Sequence, residues 1–171
     1  MSIITHRSMW IALVFAVFLS ACTDATQINN DSEAVTESPI TSLTVYKSRS
    51  CKCCQKWVNH IEEHGFDADV SNVTLMSRIK DKYGVAPNYR SCHTALSPDG
   101  FVFEGHIPAK FIQQFLDNIP EGAIGLSVPA MPIGSPGMEV GDQFHPYLIL
   151  QLNDDGSATT YAEVNTYEEQ F

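Results

Sequence analysis

Polar and apolar positions first fall into a regular pattern at Leu43 and Val45, which alternate with Thr44 and Tyr46 and predict a short strand. Trp57, Val58 and Ile61 then share one helical face, and Gly65 follows the last turn, where a left-handed cap is expected. Phe66 to Val70 reads as a second strand. A second helix is predicted from Thr74 to Tyr83, with Leu75, Met76, Ile79 and Tyr83 on its apolar side and Gly84 as its stop. Arg90 to Leu96 and Phe101 to Glu104 flank Ser97-Pro98-Asp99-Gly100, the chemistry of a turn between antiparallel strands. Pro108 suits the first position of a third helix whose apolar face is Phe111, Ile112, Phe115 and Leu116. Gly125 to Val140 reads as a long Gly- and Pro-rich loop carrying Met131 and Met138. Tyr147 to Leu152 and Ala158 to Val164, around Asn153-Asp154-Asp155-Gly156, predict a C-terminal hairpin. The order βαβαββα, then a loop and a hairpin, describes an α/β chain with a mixed sheet and flanking helices.

The first forty residues follow another logic. His6 and Arg7 precede an apolar run from Met9 to Leu19 that falls short of the ~20 residues a spanning helix needs, so residues 1–21 read as an export signal. Leu19-Ser20-Ala21-Cys22 resembles a bacterial lipobox, which makes Cys22 the lipidated first residue of the mature chain. Thr23, where aspartate would retain a lipoprotein, implies by the same likeness a periplasmic location on the inner leaflet of the outer membrane. Residues 22–41 are polar, acidic and without period, and read as a flexible tether. The remainder of the 171-residue chain is one domain, 42–165, with an acidic, solvated end at 166–171. A formal charge of −10 argues against nucleic-acid partners and favours cationic ones.

Three of the five cysteines fall in Cys51-Lys52-Cys53-Cys54, between the first strand and the first helix. A helix start lowers a thiol pKa through its free N–H groups, and Lys47, Arg49, Lys52 and Lys56 add positive charge. A strand feeding a cysteine turn and a helix, with a later hairpin and closing helix, is the thioredoxin-like arrangement. Three sulfurs this close, with Cys92-His93 further on, point to soft-metal ligation or to thiol chemistry. Met76, on an apolar face, reads as core; His60 and His64, one turn apart, and His145 read as surface residues.

Four motifs extend the pattern: Cys51-Lys52-Cys53-Cys54, Ser91-Cys92-His93-Thr94-Ala95, Glu104-Gly105-His106-Ile107-Pro108 and Met131-Pro132-Ile133-Gly134-Ser135-Pro136-Gly137-Met138-Glu139. In this order they resemble the thioredoxin-like, copper-resistance-associated periplasmic proteins of the CopG type. Lys52 and Ala130 stand where that family commonly has glycine. The resemblance implies a scaffold whose cysteine site has turned toward copper, with Cys51, Cys53, Cys54, Cys92, His93, His106, Met131 and Met138 as the ligand set. Thiolate, thioether and imidazole are the donors that suit copper. The function expected is periplasmic copper binding for copper resistance, as a multi-copper cluster able to cycle between Cu(I) and Cu(II), with periplasmic copper chaperones or efflux components as partners. The competing reading is a thiol–disulfide oxidoreductase with Cys51 attacking and Cys54 resolving. A structural zinc site fits the four cysteines but not the methionines.

Overall fold

The computed structural model describes residues 41–171. The export signal, Cys22 and the tether up to residue 40 lie outside them. Strand β1 (Thr41–Lys47) leads into helix α1 (Lys52–Glu63), followed by β2 (Phe66–Asn72), α2 (Met76–Lys82), a 3-10 turn (Pro87–Tyr89), β3 (Thr94–Leu96), β4 (Val102–Glu104), α3 (Ala109–Asp117), β5 (Ala123–Ser127), β6 (Tyr147–Asn153), β7 (Ala158–Val164) and a last 3-10 turn (Tyr167–Gln170). The seven strands form one sheet in the order β2-β1-β3-β4-β5-β6-β7. β1 and β2 are parallel, as are β4 and β5, while the other pairs are antiparallel. This is the expected α/β, thioredoxin-like mixed sheet with flanking helices and a C-terminal hairpin.

Successive strand residues face opposite ways, so the sheet has two apolar faces. On one, Leu43, Val45, Ala95, Phe103, Leu126 and Ile149 pack beneath Trp57, Val58 and Ile61 of α1 and Ile112 and Phe115 of α3. On the other, a smaller cluster gathers Val85, Leu96, Val102 and Leu152, with Tyr46 and Tyr83 at its edge. α1 stops at Gly65, whose φ of +88° is the left-handed conformation its sequence position implied. Among the described residues no helix is long and apolar enough to cross a membrane.

Three expectations are corrected. Ala123–Ser127, read in part as the start of the loop, is strand β5. Gly125 hid it: a Cβ there would lie 1.8 Å from the Val102 carbonyl oxygen, so glycine marks where β4 and β5 approach too closely for a side chain, at a register shift between Ala123 and Gly125. α2 is shorter than its apolar stripe suggested; Leu75 lies outside it and is exposed, whereas the charged Lys80 is its buried residue. The C-terminal segment keeps its acidic side chains exposed but turns Gln170 inward, where Tyr147 Oη donates to Gln170 Oε1 (2.7 Å) and Gln170 Nε2 donates to the Gly134 carbonyl (3.1 Å). A smaller difference is that Pro108 caps α3 from just outside its first turn.

Candidate metal centre

The cysteine turn occupies the space between the end of β1 and the start of α1. Cys51 is the N-cap of α1, in extended backbone conformation, and its Sγ accepts from the Cys54 backbone N–H at 3.4 Å, in the place of the usual capping oxygen. Cys51 and Cys54 are joined as a disulfide, and the free Cys53 places its Sγ 3.4 Å from that of Cys51. Cys54 is buried; Cys51 and Cys53 are half-buried. The Met131–Met138 loop closes on this turn from outside. Gly137, at φ +87°, comes so near that a Cβ would lie 2.7 Å from the Cys53 carbonyl oxygen and 2.8 Å from the Trp57 nitrogen.

The second arm enters just before β3. Cys92 Sγ lies 3.0 Å from His106 Nε2 and 3.2 Å from His93 Nδ1. The protons follow from the partners: the Pro136 carbonyl can only accept, so His106 Nδ1 donates to it (2.7 Å) and Nε2 offers a lone pair to the Cys92 thiol. Cys92 sulfur then accepts from His93 Nδ1–H, which leaves His93 Nε2 as a bare lone pair. That atom is buried without a hydrogen-bond partner, on a ring packed against Trp57 (centroids 4.3 Å) and edge-on to His106 (5.0 Å). Trp57 is held by its own bond from Nε1 to the Ile107 carbonyl, at 2.8 Å.

Burial, with the nearby positive charge of His106, Lys80 and Lys47, holds the His93 pKa well below 6.5; burial also lowers that of His106, against the Pro136 bond and Glu139. Both imidazoles are therefore neutral at ordinary pH, the state in which they ligate metals. Burial, and secondarily the neighbouring Cys53, pushes the Cys92 thiol up to about 12. Cys92 stays protonated until a cation replaces the proton. The Sγ atoms of Cys51, Cys53, Cys54 and Cys92 all lie within 4.8 Å of one another, as do donor atoms of Cys92, His93 and His106. Cys92 belongs to both groups. Soft sulfurs beside neutral imidazoles suit a thiophilic ion, and two-electron reduction of Cys51–Cys54 frees the two remaining sulfurs as donors.

The structure thus brings six of the eight residues singled out from sequence together. Met138 is half-buried and lines a cavity of about 340 Å³ with Lys52, Cys53, Lys56, Gly137 and Val140. Met131 is 49% exposed at the far end of the loop. Of the basic residues, Arg49, Lys52 and Lys56 are exposed, but Lys47 is buried on the core face of β1. His60, read as a surface residue, is half-buried and accepts the Ala109 N–H at the start of α3 (3.1 Å). Sequence reasoning also missed Trp57 as a wall of the site, the Pro136 carbonyl that orients His106, and Lys80 beneath the second arm. The tryptophan lies in the apolar stripe of α1; the other two carry no sequence signal of their own.

The family model "Protein of unknown function, DUF411" matches residues 89–138, which include the second arm, His106 and the Met loop. No curated protein matches. Two solved structures, "Copper resistance protein copG" in forms 1 and 2, are each 36% identical. Form 1 has a TM-score of 0.68 and an alignment covering 72% of this chain and 97% of that one; for form 2 the values are 0.69, 73% and 98%.

Proposed function

The chain belongs to the CopG family of copper resistance proteins, and from that premise we propose that it binds copper outside the cytoplasm, in the periplasm, held to the membrane through a lipid on Cys22. The observation that carries this reading is Cys92, one sulfur shared between a four-sulfur group and a Cys-His-His group. A bridging thiolate is what allows two or more Cu(I) ions to sit in one site. Cys51, Cys53, Cys54 and Cys92 supply thiolates, His93 and His106 supply imidazoles, and Met138 supplies a thioether at the mouth, with Met131 as an outlying donor. Each thiol gives up a proton as its sulfur takes the metal, so loading releases acid. The neutral imidazoles also suit Cu(II), which allows the cluster to cycle between oxidation states. Copper arrives from, or leaves to, periplasmic chaperones or efflux components.

The test is a titration of the reduced protein with Cu(I) under anaerobic conditions against a competing chelator, with Zn(II) in parallel. More than one copper per chain, held more tightly than zinc, is expected; reduced wild type that takes up no Cu(I) overturns the reading. The Cys51–Cys54 disulfide at a helix start favours a second reading, a thiol–disulfide oxidoreductase. The Cys53→Ser variant separates the two: an oxidoreductase keeps its turnover of a dithiol substrate, whereas a copper cluster loses metal.

A further inference from the structure

Under the second arm lies a charged group that has no part in ligation. Glu104, the last residue of β4, is fully buried, and its partners come from three directions. Its Oε1 accepts the Ser91 backbone N–H at 2.6 Å and pairs with Lys80 Nζ; its Oε2 accepts the Thr94 hydroxyl, also at 2.6 Å. Lys80, reaching in from α2 and only 4% exposed, also donates to Thr94 Oγ1 at 3.1 Å. Ser91 and Thr94 bracket Cys92 and His93, while Glu104 itself stands two residues before His106. The backbones are joined at the same place. Gly105 N–H donates to the His93 carbonyl (3.0 Å), and a Cβ on Gly105 would lie 2.5 Å from the Val128 oxygen and 2.6 Å from Ser91 Cβ.

We propose that Glu104 is a positioning residue of the metal site, one carboxylate that grips both ends of the Cys92-His93 arm and fixes its spacing to His106, with Lys80 as its countercharge. It rests on the copper-site reading above. A buried ion pair is a poor device for stability, because desolvation offsets the attraction and an apolar pair of the same volume packs as well. What the apolar pair lacks is an acceptor for the Ser91 N–H and the Thr94 hydroxyl. The carboxylate holds those two donors on either side of the two ligands, which is geometric control of an otherwise irregular segment.

Three variants of the full chain separate holding from charge. Lys80→Met with Glu104→Gln removes both charges but keeps an amide oxygen for Ser91 and an amide N–H for Thr94 Oγ1. Lys80→Met with Glu104→Leu removes the grip, and Thr94→Val removes one strut from a near-isosteric side chain. The readouts are the alkylation rate of Cys92 by iodoacetamide in metal-free protein with the disulfide intact, with Cys53 as internal reference, and the nitrogen ligands and affinity of bound Cu(I). The Gln pair is expected to match wild type within threefold in both. The Leu pair is expected to alkylate Cys92 at least tenfold faster, and to bind Cu(I) at least tenfold more weakly with fewer nitrogen ligands. Thr94→Val is expected to show at least a threefold change in the same directions, and it decides the matter if the Leu pair does not fold. Unchanged Cys92 alkylation in folded Leu-pair or Thr94→Val protein overturns the proposal. Wild type that binds no Cu(I) overturns the copper reading instead, and the alkylation rates still judge the grip.

Discussion

His93 is fully buried, yet its replacement by leucine should leave the metal-free protein about as stable as wild type or slightly more so. Its Nε2 has no partner, and an orphaned buried polar atom costs about 1–3 kcal/mol. Leucine, of similar volume, relieves that penalty. It forfeits the ring contact with Trp57, worth about 0.5–1.5 kcal/mol, and the Nδ1–H bond to Cys92 sulfur, at about 0.5 kcal/mol the weak end of the range. The sum runs from about 1 kcal/mol of loss to about 2 kcal/mol of gain, whereas truncating an equally buried aliphatic such as Ile112 to alanine should cost about 2–5 kcal/mol. Urea melts of metal-free, disulfide-intact protein measure this: with a slope near 2 kcal/mol/M, the His93→Leu midpoint should fall by no more than about 0.5 M or rise by no more than about 1 M, and the slope should hold. Copper affinity of the reduced variant should fall at least tenfold, or about 1.4 kcal/mol. A loss above about 2 kcal/mol in the metal-free melt would refute the orphaned lone pair, and an unchanged copper affinity would refute ligation.

Three further outcomes are expected. Gly137→Ala places a left-handed alanine, which costs about 1–2 kcal/mol, against the Cys53 carbonyl and the Trp57 nitrogen, where overpacking costs about 1–3 kcal/mol more, and loosens the loop whose Pro136 orients His106; the melt should fall by about 2–5 kcal/mol and copper should dissociate faster. Burial, and secondarily His64, lowers the His60 pKa from 6.5 to about 4, so the unfolded chain binds this proton first and stability falls as pH drops from about 6.5 to 4. His60→Gln should flatten part of that slope in pH-dependent melts, with His93, His106 and, toward about pH 4, Asp155 acting in the same direction, and an unchanged slope would show that His60 contributes none of it. Cys22→Ala should move the protein from the membrane to the soluble fraction after cell disruption, and equal partitioning with wild type would remove the lipid anchor.

The strand, cysteine turn and helix were legible because their apolar residues follow clean periods: Leu43 and Val45 alternate, and Trp57, Val58 and Ile61 recur on one helical face. The six residues that meet in the structure, Cys51, Cys53, Cys54, Cys92, His93 and His106, were singled out by the resemblance and by donor chemistry, neither of which depends on where the chain goes. What escaped was whatever tertiary contact alone decides. Lys80 has the composition of a solvated helix position, and only the Glu104 carboxylate arriving from another strand makes its burial tolerable. Gly125 reads as a breaker until the close approach of β4 explains it. Gln170 belongs to a segment of polar and acidic residues, yet the hydroxyl of Tyr147 and the Gly134 carbonyl give its amide a buried place. Met131 carries the right sulfur but sits on a loop whose anchored part is Gly134 to Gly137.

The partners in the candidate metal centre also differ in how far the chain must travel to bring them together. Cys51 and Cys54 are three residues apart, Cys92 and His106 fourteen, and His106 and Pro136 thirty. Closing a longer loop costs more entropy, so the disulfide can close in a chain that has no sheet, while the imidazoles take their places only once β3, β4 and the Met loop have docked. Oxidation before folding therefore produces a chain that holds its first sulfur pair and none of the remaining geometry. Metal held by the complete set counts toward the folded state alone, and it should slow unfolding by tying the last segments to assemble to the first turn to form.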